Sequence, residues 1–159
     1  MPNALLHASP APPQTTGAGE VSPKKPRAKS RELERKEQVA VVTWAKGAAA
    51  LKWPELALLH AIPNGGDRHM LVAAKLQGEG VRRGVPDLCL PVARGGYHGL
   101  YIEMKADKGR PSEHQRWWIS RLREQGYRVA VCWGRHEAIN TIMDYLEGKL
   151  TITKGAQGK

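Results

Sequence analysis

Two apolar segments that carry charged residues at alternate positions constrain this chain more than any other feature. The first contains Gly-Val-Pro-Asp-Leu at residues 84–88, and the second reads Gly-Leu-Tyr-Ile-Glu-Met-Lys at residues 99–105. Successive side chains of an extended strand point to opposite faces, so Glu103 and Lys105 share one face, roughly 7 Å apart. The apolar residues beside them take the other face. The pattern predicts two neighbouring strands with acids and a base on one face.

This arrangement of charges indicates a metal site with a phosphate clamp, since a solvated salt bridge would more often fall among polar neighbours. A hard divalent cation needs oxygen ligands and open positions. Asp87 and Glu103 are predicted to bind it if their strands pair side by side. A Mg²⁺ between them would lower the pKa of a bound water and neutralise charge developing on a phosphate. Lys105 is placed to hold the phosphate or the attacking water as a point charge.

Size and charge predict a single domain that binds a polyanion. The chain has 159 residues and a formal net charge of +10, and basic proteins release counterions from nucleic acid when they bind it. Cys89 and Cys132 fall in apolar runs where cysteine acts as a small hydrophobe, and two cysteines make no zinc set. Neither a secretory signal nor an apolar run of membrane-spanning length is present. A cytoplasmic protein is therefore expected.

Periodicity predicts an α/β domain between two tails. Residues 1–30 are expected to be a disordered basic tail rich in Pro and Ala, residues 31–148 the folded domain, and residues 149–159 a flexible C-terminus. The domain is predicted to be a mixed sheet of about four strands flanked by helices, in the order α-β-α-β-β-α-β-α. The predicted elements are a helix from Arg31 to about Leu51, a strand at 58–62, a turn at Asn64-Gly65-Gly66, a helix capped by Asp67, strands at 87–92 and 100–105, a helix from Ser112 to Gly126, a strand at 127–133 and a helix at 136–146.

Four sequence blocks, taken together, resemble a known family. They are Ala-Ile-Pro-Asn-Gly-Gly at 61–66, Gly-Val-Arg-Arg-Gly-Val-Pro-Asp-Leu at 80–88, the segment 99–105 described above, and Ser-Glu-His-Gln at 112–115. From about residue 32 to 147 the sequence resembles the virus-type replication-repair nuclease (VRR-NUC) domains of the PD-(D/E)XK nuclease superfamily. Such domains are found in bacteriophages and in Fanconi-associated nucleases.

The resemblance implies a restriction-endonuclease-like fold and a Mg²⁺- or Mn²⁺-dependent endonuclease. It also implies that the backbone carbonyl of Met104 binds the metal beside Asp87 and Glu103. The stand-alone phage type resembles Holliday-junction resolvases that act as homodimers, so branched or structured DNA, a second copy of the chain and a phage or prophage origin are expected. Neither a nucleotide cofactor nor a membrane partner is expected.

The family carries a further acid on its first helix. The candidates here are Glu32, Glu34, Glu37 and Glu55. Glu37 shares the apolar stripe of Leu33 and Val41, and an isolated buried carboxylate costs several kcal/mol unless a metal or another partner compensates it. Glu37 is therefore predicted to be catalytic and a possible metal ligand, with a salt bridge at the helix edge as the alternative. Glu32 and Glu34 are interpreted as solvated charges.

Gln115 has two candidate roles. With Ser112 three residues earlier it forms a capping box that would start a helix. Its position on the stripe of Ile119 and Leu122, together with the glutamine of the resembling family, suggests instead a catalytic role facing the sheet. The two roles are expected to be difficult to combine in one rotamer.

Basic and aromatic residues complete the candidates. DNA-backbone contacts are predicted for cations that flank the site, because Arg and Lys position a duplex without reading its sequence. Trp44, Trp53 and Trp133 are expected to pack in the core. The predicted DNA-binding cations are Lys75, Arg82, Arg83, Lys108 and Arg110.

Three hypotheses for function follow. The favoured one is a metal-dependent endonuclease in which water attacks phosphorus directly and leaves a 5′-phosphate, as in similar enzymes. The second is a catalytically silent DNA-binding module. The third is a nuclease subunit that acts only when a larger replication or recombination complex recruits it.

Overall fold

A four-stranded mixed sheet forms the centre of the fold. The computed structural model describes residues 11–13, 26–47, 49–63 and 70–150, and at 26–28, 70, 71, 73 and 74 it describes the backbone only. The strands lie in the order β1-β2-β3-β4, with β1/β2 and β2/β3 antiparallel and β3/β4 parallel. The elements are α1 (Pro26–Lys46), α2 (Ala49–Lys52), a 3₁₀ helix (Pro54–Leu58), β1 (His60–Ala61), α3 (Met70–Gly78), β2 (Leu88–Leu90), β3 (Leu100–Lys105), α4 (Glu113–Glu124), β4 (Arg128–Trp133) and α5 (Gly134–Leu146).

Local sequence explains the connections on either side of β3. The link from β2 turns at Gly95 and Gly96, whose φ angles are 57° and 89°. Positive φ at both central positions is what a tight hairpin turn needs, and glycine adopts it without strain. The link to β4 runs through α4, because two parallel strands need a crossover and cannot be joined by a tight turn.

Helices cover both faces of the sheet. One face packs against α1 and α5 and forms the hydrophobic core, whereas α4 lies on the other face against β4. Because side chains alternate along β3, the even-numbered residues enter the core and the odd-numbered Glu103 and Lys105 point toward α4. The core is formed by Val41, Ala45, Leu88, Leu90, Leu100, Ile102, Met104, Cys132, Ala138, Ile142 and Tyr145, among others.

The α/β architecture, the mixed four-stranded sheet and the flanking helices confirm the predicted fold class. β3 spans the residues predicted for it, and both cysteines are buried and free. No helix within the described ranges is long and apolar enough to cross a bilayer. The predicted turn at Asn64-Gly65-Gly66 and the cap at Asp67 lie outside the described residues.

The first helical region differs from its prediction at both ends. α1 begins at Pro26 instead of Arg31, inside the segment assigned to the tail. Proline is favoured at the first position of a helix because its φ is already helical and its missing N–H would have no partner there. At the other end α1 stops at Lys46, since Gly47 weakens a helix interior, and a short α2 follows.

Candidate active site

Asp87 and Glu103 face each other across β2 and β3. The antiparallel register pairs Leu88 with Ile102, so one step further sets Asp87 opposite Glu103. Residues in such positions have Cβ atoms about 4.5 to 5.5 Å apart. The N–H of Met104 donates a 2.8 Å hydrogen bond to Asp87 Oδ2, which holds that carboxylate against β3. The strand pairing required by the predicted metal site is therefore present.

Glu103 is an acid buried without full compensation. Its exposed fraction is 0%. Oε1 accepts a 2.6 Å hydrogen bond from Lys105 Nζ, but Oε2 is buried with no hydrogen-bond partner in the described part of the chain. Burial raises the pKa of Glu103 to about 8, the charge of Asp87 adds to the rise, and Lys105 opposes it. The unpartnered oxygen marks the place where a cation would be stabilised.

The ammonium group of Lys105 lies among oxygen atoms. Lys105 is 6% exposed. Besides its bond to Glu103, Nζ donates a 3.0 Å hydrogen bond to the carbonyl of Met104 and lies 4.0 Å from Glu34 Oε1. Two of its three N–H donors are thus used by these oxygen atoms.

Gln115 combines the helix cap with a contact to Glu103 in one rotamer, which corrects the expectation that the two would be difficult to combine, while its catalytic role stays a prediction. Its carbonyl oxygen accepts a 2.8 Å hydrogen bond from the N–H of Ser112, and its own N–H donates a 3.3 Å bond to Ser112 Oγ. At the same time its side-chain amide nitrogen donates to Glu103 Oε1. A carboxamide carries an acceptor and a donor on one planar group, so a single rotamer serves the helix cap and the acid.

Separating these two roles gives a first prediction. Gln115→Glu keeps an oxygen for the cap but places a carboxylate against Glu103, so we expect cleavage to fall about 10- to 100-fold, as for other residues that orient a site acid. Ser112→Ala is the matched control: it removes the hydroxyl that accepts the N–H of Gln115, costs about 1 kcal/mol of unfolding free energy and leaves the contact to Glu103 in place. Thermal melts and single-turnover rates measure the two effects. Full activity in Gln115→Glu would assign Gln115 to the cap alone.

Glu34, interpreted from the sequence as a solvated charge, is the acid of α1 that reaches the site. Its Oε1 accepts a 3.2 Å hydrogen bond from the N–H of Ala106, directly after β3, and lies 4.0 Å from Lys105 Nζ. Its side chain is 24% exposed. Glu34 lies seven residues before Val41 and therefore on the same helix face, a spacing visible in the sequence that becomes informative only once Val41 is known to be fully buried.

Glu37 does not join the cluster, which corrects its prediction as a catalytic residue and possible metal ligand. Its carboxylate accepts hydrogen bonds of 2.8 and 3.1 Å from the Arg135 guanidinium and one of 2.7 Å from the Arg135 backbone N–H. These bonds hold the pKa of Glu37 below its ordinary value. The alternative of a helix-edge salt bridge is what the structure shows. The other two candidate acids pair elsewhere, Glu32 with Arg35 and Glu55 with Arg94.

The predicted DNA-binding cations lie in three places. Lys108 and Arg110 are exposed on the loop that follows β3, next to Lys105. Arg82 and Arg83 are exposed on the loop before β2, where Trp118 Nε1 donates a 3.1 Å hydrogen bond to the Arg83 carbonyl. The fifth cation, Lys75, is exposed on α3, 3.9 Å from Glu79 one turn later. Their contact with DNA stays a prediction.

The donor set fits a hard divalent cation. The carboxylates of Glu34 and Asp87 lie close enough to Glu103 to raise its pKa, and one buried oxygen of Glu103 lacks a partner within the described residues. No group of three or more His, Cys, Asp or Glu side chains in the described ranges is arranged to hold a metal. Mg²⁺, however, is usually held by one or two carboxylates and keeps several waters. Asp87, Glu103 and the Met104 carbonyl are sufficient for such a site.

Comparisons with known proteins agree with this fold. The family model of the VRR-NUC domain matches residues 21–136. A solved structure of a VRR_NUC domain protein is 33% identical in sequence, with a TM-score of 0.61 over 72% of this chain and 88% of that chain. No curated protein matches the chain.

Fold, paired acids and these matches together define a nuclease-type α/β domain. The chain belongs to the VRR-NUC family, as its resemblance in sequence predicted. Membership implies nuclease activity in general, with DNA as the substrate.

Proposed function

We propose that this domain is a divalent-metal-dependent endonuclease that hydrolyses phosphodiesters of structured or branched DNA. The observation that carries the proposal is the buried Oε2 of Glu103, which has no partner among the described residues and lies on the side chain opposite Asp87. Burying a carboxylate in this way is costly unless a cation is bound. The PD-(D/E)XK type of site, resolution of Holliday junctions by a homodimer, and a phage or prophage origin belong to the same proposal.

Each residue of the cluster has a separate task in this proposal. Asp87, Glu103 and the Met104 carbonyl hold the cation, and Gln115 fixes the orientation of Glu103 through its amide nitrogen. Lys105 uses its remaining N–H to hold an oxygen of the scissile phosphate, and Glu34 holds the ammonium in place. Mg²⁺ or Mn²⁺, when bound, supplies Lewis-acid stabilisation of the negative charge that develops on the phosphate.

A cleavage assay with a DNA panel tests the proposal. Wild-type protein is incubated with linear duplex, flap and four-way DNA, with Mg²⁺ or with EDTA. We expect cleavage of structured DNA only with Mg²⁺, and loss of cleavage in Asp87→Asn. Asparagine keeps an oxygen for the N–H of Met104, so the fold should survive.

The outcomes separate the hypotheses. Cleavage that persists in EDTA, or at the wild-type rate in Asp87→Asn, contradicts the metal-dependent mechanism. Binding of DNA without cleavage of any member of the panel contradicts hydrolysis by this chain alone and leaves the silent binding module and the recruited nuclease subunit. Calorimetric titration of Mg²⁺ into wild type and Asp87→Asn measures cation binding independently of cleavage.

A further inference from the structure

Trp133 is an exposed aromatic residue beside the site lysine. In the parallel ladder of β3 and β4 it pairs with Lys105, so the two side chains lie on the same face of the sheet. Its exposed fraction is 44%. All five tryptophans lie in the described part of the chain, and this one alone is exposed. The expectation that Trp133 packs in the core is therefore wrong.

The indole is exposed and held in place at the same time. Its Nε1 donates a 2.9 Å hydrogen bond to the carbonyl of Gly109, in the loop that follows β3. Gly109 lies directly over the site, because a Cβ added there would be 3.3 Å from Lys105 Cδ and 3.6 Å from Glu34 Oε1. Trp133 is thus fixed relative to Lys105 while its ring remains accessible.

The surroundings of the ring match the chemistry of a nucleotide. Lys108 and Arg110 are exposed on either side of Gly109 and can attract phosphates. Aromatic side chains stack on bases of any sequence, as long as the base is free to leave its own stack. In a continuous duplex the bases are stacked already, whereas a base at a flap, bulge or junction is available.

We propose that Trp133 stacks on an unpaired nucleobase beside the scissile phosphate and thereby makes the domain prefer DNA with interrupted pairing. The proposal rests on the proposed function for the position of that phosphate. The competing role is structural, in which Trp133 only fastens the loop through Gly109. Trp133→Phe distinguishes the two, since phenylalanine keeps an aromatic face but cannot donate to the Gly109 carbonyl.

The experiment compares two DNAs of equal length, a perfect duplex and a duplex with one unpaired 2-aminopurine. Binding is measured in EDTA, so that the DNA stays intact, for wild type, Trp133→Ala and Trp133→Phe. We expect Trp133→Ala to lose about tenfold in its preference for the interrupted DNA, the size of one base–aromatic stack, with little change for duplex. Trp133→Phe should retain most of the preference. The 2-aminopurine fluorescence should be quenched by wild type and Trp133→Phe only.

Three results would overturn stacking by Trp133: no preference in wild type, an unchanged preference in Trp133→Ala, or an equal loss in both variants. Circular dichroism melts identify a variant that does not fold. If Trp133→Ala does not fold, the DNA preference of Trp133→Phe and the 2-aminopurine fluorescence in its complex decide between the two roles. A wild type that prefers interrupted DNA but cleaves nothing with Mg²⁺ contradicts the proposed hydrolysis and leaves the stacking role intact. A wild type that cleaves, with a preference that survives in Trp133→Ala, contradicts the stacking role alone.

Discussion

Exchange of Glu34 for glutamine is expected to lower the single-turnover rate of DNA cleavage about 100-fold. Glu34 Oε1 lies 4.0 Å from Lys105 Nζ and binds the N–H of Ala106 at 3.2 Å. Without its charge the ammonium has one fewer anchor, and a displacement of about 1 Å at a reacting group can cost about 10²-fold in rate. Glutamine keeps the size of the side chain and its hydrogen-bonding oxygen, so the loss reports on charge.

Glu37→Gln is the matched control on the same helix, one turn later. Its carboxylate binds Arg135 at the start of α5 and does not touch Lys105. We expect its cleavage rate to stay close to that of wild type, and its unfolding free energy to fall by at most about 1 kcal/mol, because the ion pair with Arg135 is partly exposed to solvent.

Cleavage time courses at saturating protein and urea denaturation of both variants make the comparison. Equal rate losses in the two variants would show that α1 only stabilises the fold and that the charge of Glu34 has no specific effect on Lys105. A loss confined to Glu37→Gln would restore the prediction made from the sequence.

The parts of the site that lie on strands could be predicted, since alternation along a strand fixes the face of each side chain. The pattern in residues 99–105 sets Glu103 and Lys105 together whatever the rest of the fold does. The hairpin at Gly95-Gly96 then brings Asp87 opposite Glu103. Two local rules, alternation and turn chemistry, are therefore sufficient for three of the site residues.

The helical contributions depended on tertiary packing and could not be assigned in the same way. Leu33 suggested a stripe that favoured Glu37, but Leu33 is 45% exposed, and the buried face is centred on Val41 and Ala45. Glu34 lies within that face, seven residues before Val41, whereas Glu37 lies at its edge. Glu34 contacts the residue that follows β3, and Glu37 contacts the start of α5. Only the positions of β3 and α5 decide which of these acids reaches the site.

Glu103→Gln is expected to lower the rate of cleavage at least about 10³-fold. It is also expected to make the stability of the metal-free protein less dependent on pH. In wild type the folded-state pKa of Glu103 is raised to about 8, from an ordinary value of 4.5. Between these values the folded protein binds more protons than the unfolded chain, so stability is fully present below pH 4.5 and falls as pH rises toward 8. Burial is the main cause, and the charge of Asp87 adds to it.

The glutamine variant removes this charge and keeps an oxygen for Lys105 and Gln115. In EDTA its unfolding free energy should fall less than that of wild type between pH 5 and pH 8, by a difference on the order of a few kcal/mol. Its melting temperature should accordingly change less over this range. Glu34 still lies 4.0 Å from the ammonium of Lys105. Thermal melts of both proteins across this pH range, with EDTA, measure the effect.

Addition of Mg²⁺ provides the decisive comparison. A cation that binds the folded state alone stabilises it by mass action, and its affinity rises as its ligands lose protons. Wild type should therefore recover its stability near pH 8 when Mg²⁺ is present, whereas Glu103→Gln should not respond. An equal response of both proteins to Mg²⁺ would place the cation elsewhere. Parallel pH profiles in EDTA would show that the buried carboxyl of Glu103 is not the group that titrates.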